Sequence, residues 1–363
     1  MRVKFFFLRC VNDIRLLVQY RQYTHQRFVS LLGTLALLWL SYKFVHAIFS
    51  RGYLRGNPKV DHWCDREDLP AYFTKQDPEE ITIITAFFNL GTYKNGPNSL
   101  DYTNPYQYKE WMRPLGRVAN PVVAYIEDES VAKYFQEIRS CLPETRTKII
   151  RVRREELWSF RLRPYFKRIY EKPGYPQHHP NTVYPEHTSA SHAKYELLEM
   201  AVKKNYFKTP FFAWLDISYL RNLDQTSFDI FKLVPPTTFN VDFVSMSQAY
   251  PHDPNIRAKD VIANNLVWVS GEMLLGMRET LVNFTSLYKH TVERLLKDGL
   301  ACGDEQVIYL MYSTPLRKPK QVMIKTYMCH EGQLGLYGRD TRFLCLGYVC
   351  KNSWDKIHKP GPG

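Results

Sequence analysis

The residue best placed to do chemistry in this chain is Asp216, which directly follows the apolar run from Phe211 to Leu215. Such a short run with aromatic residues is typical of a strand buried on both faces. Ligands of open α/β sheets bind at the carboxyl ends of these strands. A carboxylate there can meet solvent, a metal ion or a phosphate without being buried alone, which would be costly. The alternative is a capping or loop residue, with Ser218 forming a local turn.

Charged and small residues near other predicted element ends are further candidates. A helix is predicted over residues 191–205, which places Lys194 in its first turn, where the helix dipole disfavours a cation. The lysine then either reaches an anion or is an ordinary surface residue. Gly271 lets backbone approach a sugar ring closely or shapes a turn. Asp304 is a natural helix N-cap, and Glu305 favours the same end of the dipole.

Four histidines lie in a segment with four prolines, residues 171–192: His178, His179, His187 and His192. They could form a metal cluster, although histidines in a proline-rich loop are more often solvated. A loop of this length within a compact domain is often a lid or a binding loop.

Several other apolar runs are predicted to be strands, and helical patterns separate most of them. These runs span residues 81–88, 121–126, 148–152, 243–246 and 265–269, and a long helix is centred on Leu281 to Leu295. Strands that alternate with helices predict an α/β fold with a mainly parallel sheet flanked by helices.

The N-terminal region predicts a membrane anchor. Residues 1–27 are basic, and residues 28–49 are apolar enough to span a bilayer of about 30 Å as a helix. The basic flank before the span argues for a cytoplasmic N-terminus, although basic residues also follow it. A cleaved signal peptide is the alternative, but the basic part is long for one and no small-x-small cleavage site follows.

The expected organisation is therefore that of a single-pass type II membrane protein. A cytoplasmic tail (1–27) and a signal anchor (28–49) precede a proline-containing stem (50–80). A lumenal domain (81–350) and a disordered tail (351–363) follow. The expected location is the Golgi or endoplasmic reticulum membrane.

Cysteines and one sequon agree with this topology. Cys10 precedes the predicted span, and six cysteines follow it, an even number as expected in an oxidising compartment. Six cysteines allow 15 pairings, and free buried thiols are the alternative to disulfides. A zinc site is disfavoured, because the sequence contains no CxxC pair. Asn283 begins the sequence Asn-Phe-Thr, a possible glycosylation site on a lumenal face.

The net charge of +13 indicates anionic partners, such as a membrane surface or nucleotide phosphates. Nucleic acid is excluded as the favoured partner, because no basic helix, zinc-finger spacing or RNP-type motif is present. The 25 tyrosines and 21 phenylalanines suit either an extended binding cleft or a heavy core.

Three blocks together resemble the HtrL/YibB (WlaTC-type) family of glycosyltransferases. They are Ile81-Thr-Ile-Ile-Thr-Ala-Phe-Phe-Asn-Leu-Gly91, then Phe212-Ala-Trp-Leu-Asp-Ile-Ser218 with Arg221, and Val269-Ser-Gly-Glu272 through Gly303-Asp-Glu-Gln306. The resemblance covers roughly residues 80 to 335, and its middle block is the most specific. It implies a GT-A-like (Rossmann-like) fold with a nucleotide-sugar site at the strand ends, often with a divalent ion.

The resemblance also implies roles for individual residues. Asp216, aided by Ser218, would be the first metal ligand, but the second acid of a DxD motif is absent. His330 could replace it, which would favour Mn²⁺. Alternatively no metal binds, and Lys194 and Arg221 stabilise the leaving diphosphate.

Other positions of the implied site would hold the donor or take a proton. Thr85 and Asn89 would border the nucleotide, and Gly271 would lie beside the sugar. An inverting transfer needs a base near the acceptor hydroxyl, for which the candidates are Asp304 and Glu305.

Two departures from the family pattern qualify these roles. Asn89 stands where an acid is expected, and Glu272 and Leu275 stand in the glycine-rich block where smaller or aromatic residues are expected. The sequence therefore predicts a glycosyltransferase that moves a sugar from a nucleotide-sugar donor to a glycan or glycoconjugate acceptor. The alternative is a catalytically inactive, sugar-binding or scaffolding relative.

Overall fold

The computed structural model describes residues 37, 39, 41, 77–96, 102–223, 230–314, 316–317 and 321–358. Contacts divide the chain into two compact units, Met1–Asp61 and His62–Gly363, and the elements below belong to the second. The predicted cytoplasmic tail (1–27) and most of the predicted anchor (28–49) and stem (50–80) lie outside the described residues, as do residues 359–363. None of the helices that are described is long and apolar enough to cross a membrane.

The strands of the described residues are β1 (Ile81–Phe87), β2 (Tyr93–Lys94), β3 (Tyr102–Thr103), β4 (Val122–Ile126), β5 (Thr147–Arg151), β6 (Phe211–Leu215), β7 (Phe243–Gln248), β8 (Val269–Met277) and β9 (Met323–Tyr327). The α-helices are α1 (Pro105–Met112), α2 (Glu129–Ile138), α3 (Trp158–Arg161), α4 (Arg163–Tyr170), α5 (Pro185–Lys204), α6 (Ala258–Ala263), α7 (Arg278–Lys297), α8 (Asp304–Met311), α9 (Arg339–Phe343) and α10 (Cys345–His358). Short 3-10 helices cover Arg113–Arg117, Glu144–Arg146, Arg154–Glu156 and Gln333–Gly335.

Seven strands form one mixed sheet in the order β5-β4-β1-β6-β8-β7-β9, and β2 and β3 form a separate antiparallel pair. Strand β8 runs antiparallel to β6 and β7, whereas the other pairings of the large sheet are parallel. The fold is thus a mixed α/β sheet with flanking helices, close to the mainly parallel sheet that the sequence predicts.

An apolar core lies on each face of the sheet. Alternation along β6 sends Phe212 and Trp214 into the core beneath α5, α7 and α8, and Ala213 and Leu215 into the core on the opposite face, which also contains residues of α1, α2 and α10. Because a strand has a side-chain period of two, an uninterrupted apolar run is what a strand covered on both faces requires.

The sequence prediction is wrong for the glycine-containing block after Val269. The sequence predicts a strand over residues 265–269, after which the glycines either approach a sugar ring or shape a turn, but β8 starts at Val269 and continues through Gly271 to Met277. Its pairing with β6 on one side and β7 on the other stabilises this conformation. Tertiary pairing therefore overrides the weak strand propensity of glycine.

Two helix boundaries also differ from the prediction. Helix α5 begins at Pro185 rather than Ser191, so Lys194 lies in the middle of the helix and not in its first turn. A proline is well suited to this position, because the first helical N–H lacks an intrahelical partner. Residues 351–358 continue helix α10 instead of starting a disordered tail, because this helix packs buried residues such as Leu346 and Cys350 into the core.

The cysteines do not all pair. A disulfide joins Cys329 to Cys345, and Cys141 is also disulfide-bonded. Cys302 and Cys350 are free, buried thiols. Both alternatives raised by the cysteine count therefore occur in this chain.

Candidate active site

A cavity of about 550 Å³ opens at one edge of the sheet, beside a smaller one of about 100 Å³ that shares several lining residues with it. The carboxyl ends of β1 and β6 meet the amino end of β8 at this edge, because β8 runs antiparallel to β6. The chain passes from β1 to β4 and β5 on one side and returns to β6 on the other. Such a topological switch point is where open α/β sheets bind ligands, and the larger volume falls in the range of small-molecule sites.

The structure brings seven of the sequence-predicted site residues together around the larger cavity. They are Lys194, Asp216, Ser218, Arg221, Gly271, Asp304 and Glu305. Thr85 is buried within β1, and Asn89 is exposed beyond the end of that strand, so neither lines the cavity. His330 also lies away from it, in the loop after β9, and Asn283 is exposed on α7.

Asp216 lies at the end of β6 and lines both cavities. Its Oδ1 accepts hydrogen bonds from the Ser218 N–H at 2.9 Å and from the Ser218 hydroxyl at 2.6 Å. Ser218 therefore does form the local turn, as the simpler interpretation expected. Within the described residues, Oδ2 of Asp216 accepts no hydrogen bond from the protein, so this oxygen is available to a ligand.

Lys194 and Asp304 form a buried ion pair across the base of the cavity. Lys194 Nζ donates to Asp304 Oδ2 at 2.8 Å and to the Gly271 carbonyl at 2.9 Å, and the Tyr195 hydroxyl donates to Asp304 Oδ2 at 3.1 Å. Burial raises the pKa of Asp304, but Lys194 outweighs it and holds this pKa below its ordinary value. Asp304 does not cap its helix; the N-cap is Gly303.

Gly271 is the residue that makes room for this ion pair. A Cβ atom at this position would lie 2.2 Å from Asp304 Oδ2 and 3.0 Å from Lys194 Nζ. The sequence suggested a turn or a close approach to a sugar ring. Instead, the absent side chain admits two charged protein groups against the backbone of β8.

Glu305 differs from its neighbour Asp304, although both begin α8. Its Oε1 accepts a hydrogen bond from the Gly271 N–H at 3.1 Å, and no cation forms an ion pair with it among the described residues. Burial, and then the negative charge of Asp304, raise the pKa of Glu305 to about 7. Two adjacent carboxyl groups whose pKa values are pushed apart are a common sign of acid and base roles. Glu305 is the one that can exchange a proton near neutral pH.

Arg221 is also occupied by carboxylates. Its guanidinium lies 3.0 Å from Glu272 and 2.7 Å from Asp340. The sequence suggested that Lys194 and Arg221 would stabilise the leaving diphosphate if no metal binds. Carboxylates of the protein already neutralise both residues.

Aromatic residues form part of the cavity wall and were not individually predicted. Tyr93, Tyr108 and Trp111 come from the tyrosine-rich segment after β1, and Tyr250 and Phe343 lie elsewhere in the lining. The Tyr93 and Tyr108 hydroxyls are hydrogen-bonded at 2.8 Å. The abundance of aromatic residues was a signal for such a cleft, but their positions in the sequence did not reveal which of them line it.

The histidines of the proline-rich segment are not simply solvated. His187 lines both cavities and His192 is buried on the same helix, and burial lowers the pKa of each to about 4. Among the described residues, no group of three or more His, Cys, Asp or Glu side chains could hold a metal ion. Among the carboxylates of the cavity, Asp216 offers a metal ion its Oδ2, an oxygen that accepts no hydrogen bond within the described residues.

Comparison with known proteins gives one family match. Residues 79–321 match the family described as bacterial protein of unknown function (HtrL_YibB). No curated protein matches the sequence significantly. A crystal structure of core-mannan synthase A (CmsA/Ktr4) from Aspergillus fumigatus, in its Mn/GDP form, is similar over 80% of this chain and 92% of that one. The identity is 11% and the TM-score 0.37, too low to support an argument about activity.

Proposed function

The chain belongs to the HtrL_YibB family, and we propose that it is a glycosyltransferase with a GT-A-like fold. It would move a sugar from a nucleotide-sugar donor to a hydroxyl of a glycan or glycoconjugate acceptor. One observation carries the proposal. Asp216, one of whose carboxylate oxygens accepts no hydrogen bond from the described residues, and Glu305, whose pKa is about 7, face one cavity at the topological switch point of the sheet.

Glu305 supplies the proton acceptor that the reaction needs. Transfer forms a bond between the acceptor oxygen and the anomeric carbon and breaks the bond from that carbon to the diphosphate. The acceptor hydroxyl must lose its proton as it attacks, and a base with a pKa near the working pH does this best. Asp304 is unsuited to the role, because its carboxylate is bound to Lys194 and Tyr195.

The charge of the cavity favours a divalent ion, such as Mn²⁺, with the donor. Lys194 and Arg221 are paired with Asp304, Glu272 and Asp340, so their charges are already balanced. Asp216 would hold the ion through its free oxygen, and phosphate oxygens of the donor would complete the coordination. The ion would neutralise the charge that develops on the leaving diphosphate.

Thermal unfolding of the purified full-length chain tests donor binding. A nucleotide sugar at about 100 times its dissociation constant stabilises a protein by about 2.7 kcal/mol. We expect one donor to raise the melting temperature in the presence of Mn²⁺, and the Asp216→Asn variant to lose this increase. If a folded sample responds to no nucleotide sugar, the proposal is wrong.

The Glu305→Gln variant separates an enzyme from an inactive relative. We expect sugar transfer to fall about 100- to 10,000-fold, as for loss of a general base, while donor binding persists. Glu279→Gln, on the exposed surface of α7, is the matched control and should retain full activity. A wild-type protein that binds donor without transferring it would be the sugar-binding relative, which the absence of a DxD motif's second acid from the sequence favours.

The membrane topology also remains a proposal. We propose that residues 28–49 anchor the chain as a type II protein with its sugar-binding domain in the Golgi or endoplasmic reticulum lumen. Asn283 is exposed on α7 and is thus accessible to a glycan. In sealed microsomes, residues after the anchor should resist added protease, and Asn283→Gln should remove any glycan-dependent gel shift. Digestion of the domain in intact vesicles would contradict this topology.

A further inference from the structure

Arg339 differs from the other basic residues that line the larger cavity. Lys194 and Arg221 each bind carboxylates directly. Arg339 lines the same cavity and is exposed, and it forms no ion pair within the part of the chain that the structure describes. An arginine retains its charge under all ordinary conditions and presents five N–H donors. Its hydrogen-bonding capacity in this cavity is therefore available to a ligand.

The side chain of Arg339 rests on an aromatic ring. Its guanidinium carbon lies 4.3 Å from the centre of the Phe343 ring, and Phe343 itself is buried. Stacking uses the flat face of the guanidinium and leaves the N–H groups at its edge for hydrogen bonds. The group is thus supported without being neutralised.

The segment that carries Arg339 is held in place on both sides. The next residue, Asp340, binds Arg221 at 2.7 Å and the Asn222 amide at 2.6 Å. The disulfide between Cys329 and Cys345 closes the segment, at a sequence separation of 16. Arg339 therefore lies on a constrained part of the wall, although its segment is largely irregular.

Electrostatic effects place Arg339 near two carboxylates of the cavity, Glu305 and Glu272. Burial raises the pKa of Glu305 and of Glu272, and the positive charge of Arg339 opposes this in both cases. Yet neither carboxylate forms an ion pair with Arg339. An anionic ligand could therefore bind Arg339 without first breaking a protein contact.

We propose that Arg339 binds the diphosphate of the nucleotide-sugar donor, an inference that rests on the proposed glycosyltransferase function. A guanidinium matches phosphate oxygens in bidentate geometry, which gives both strength and orientation. Arg339 would complement the divalent ion by adding a positive charge that no described carboxylate of the protein neutralises. An anionic group on the acceptor is the competing source of the same chemistry.

Calorimetric titration of the full-length chain tests this assignment with five probes: UDP, GDP, uridine, guanosine and inorganic pyrophosphate. Loss of hydrogen bonds to a charged group should weaken binding of the preferred diphosphate and of pyrophosphate about 10- to 100-fold in Arg339→Gln. Binding of the matching nucleoside should remain unchanged. Arg339→Lys should recover part of the loss, because a lysine keeps the charge without the bidentate geometry.

Arg342→Gln is the matched control. Arg342 lies three residues away, is exposed, and stacks over Tyr250 at 4.9 Å without lining the cavity. The Arg342→Gln variant should bind all five probes as the wild type does. Unchanged melting temperatures would show that each variant is folded.

The outcomes distinguish this inference from the proposed function. If Arg339→Gln binds diphosphate as well as the wild type does, Arg339 does not have this role, although the protein can still be a glycosyltransferase. If Arg339→Gln loses as much affinity for the nucleoside as for the diphosphate, the inference is also overturned. The same holds if the wild-type protein binds neither the diphosphate nor pyrophosphate. If pyrophosphate binds through Arg339 but no nucleotide does, the anion site stands and the nucleotide-sugar function fails.

Discussion

The two sides of the cavity hold a basic residue in opposite ways. On one side Lys194 projects from the middle of helix α5, is buried, and binds Asp304 and the backbone of β8. On the other side Arg339 belongs to a short helix in an irregular, disulfide-closed segment, is exposed, and stacks on Phe343, with no carboxylate partner among the residues that the structure describes. The first side rests on regular elements and the second on a crosslinked loop.

This difference distinguishes charged side chains that stabilise the structure of the site from charged side chains that are available to bind a ligand. A buried cation needs a partner, because the loss of hydration is otherwise too costly. Lys194 therefore contributes to the shape of the cavity and to the properties of its carboxylates. An exposed arginine can remain unpaired at little cost, so Arg339 is free to bind an anion. Proximity to a cavity alone would not have distinguished these two roles.

The largest expected effect is on the Lys194 side. The Asp304→Asn substitution leaves a buried lysine without its counter-charge and should lower the free energy of unfolding by about 3–5 kcal/mol. Denaturant unfolding measures the change. A Lys194→Met and Asp304→Leu double variant, which removes both charges, should recover most of the loss. Equal stability of Asp304→Asn and wild type would show that the pair does not have the structural role described above.

On the Arg339 side of the cavity, we expect the disulfide between Cys329 and Cys345 to make the largest contribution to stability. Replacing Cys329 and Cys345 by alanine removes a crosslink, and closing a loop of about 15 residues is worth about 3 kcal/mol. The double variant should unfold at lower denaturant concentration and bind pyrophosphate more weakly. Cys302→Ala is the control, because Cys302 is a free buried thiol beside Asp304. It should cost only about 1 kcal/mol. A larger loss in the control than in the double variant would contradict this view.

Glu305 should make stability depend on pH. Its pKa is about 7 in the folded protein against an ordinary value of 4.5, so between these values the folded state binds more protons than the unfolded state. Stability should therefore fall as pH rises from about 4.5 to about 7, by up to about 3 kcal/mol. The difference between wild type and Glu305→Gln isolates this contribution. A stability difference that stays constant over this range would contradict the raised pKa, and transfer activity should rise over the same range.

The smallest change is expected for Gly271→Ala. The new methyl group would lie 2.2 Å from Asp304 Oδ2, so the ion pair must shift, and such overpacking costs about 1–3 kcal/mol. Gly276→Ala on the same strand is the control, since its methyl group meets only the flexible Leu281 side chain, at 3.0 Å. Thermal unfolding compares the two. A greater loss for Gly276→Ala would mean that the ion pair tolerates displacement easily.

Local patterns in the sequence were enough for the central strand and its terminal carboxylate. The run from Phe211 to Leu215 forms β6 with the predicted bounds, and Asp216 lies at the cavity. Asp304 and Glu305 also line this cavity, and their role as a base stays a prediction. The strand and the position of Asp216 were predictable because an apolar run followed by a charge reflects burial and exposure along a single segment.

Patterns were insufficient wherever a distant segment decides the outcome. Gly271 was expected to shape a turn or to approach a sugar ring, but it lies within β8, which pairs with β6 and β7, and beside the Lys194–Asp304 pair. Helix α5 includes His187, which is half-buried at the cavity, and His192, which is buried, although the proline-rich sequence predicted a loop for both. The sequence did not predict a role for Arg339, because that role depends on which other charged side chains are already paired in the folded protein.

The sequence by itself determined the family, the α/β class and the strand that ends at Asp216, because these depend on hydrophobic periodicity and on short motifs. Only the tertiary structure decided which charges neutralise one another. Lys194 and Asp304 are separated by 110 positions in the chain, and their contact sets Asp304 apart from Glu305. Ionisation depends on burial and on neighbours in space, so adjacent residues of similar chemistry acquire different roles only once the chain has folded.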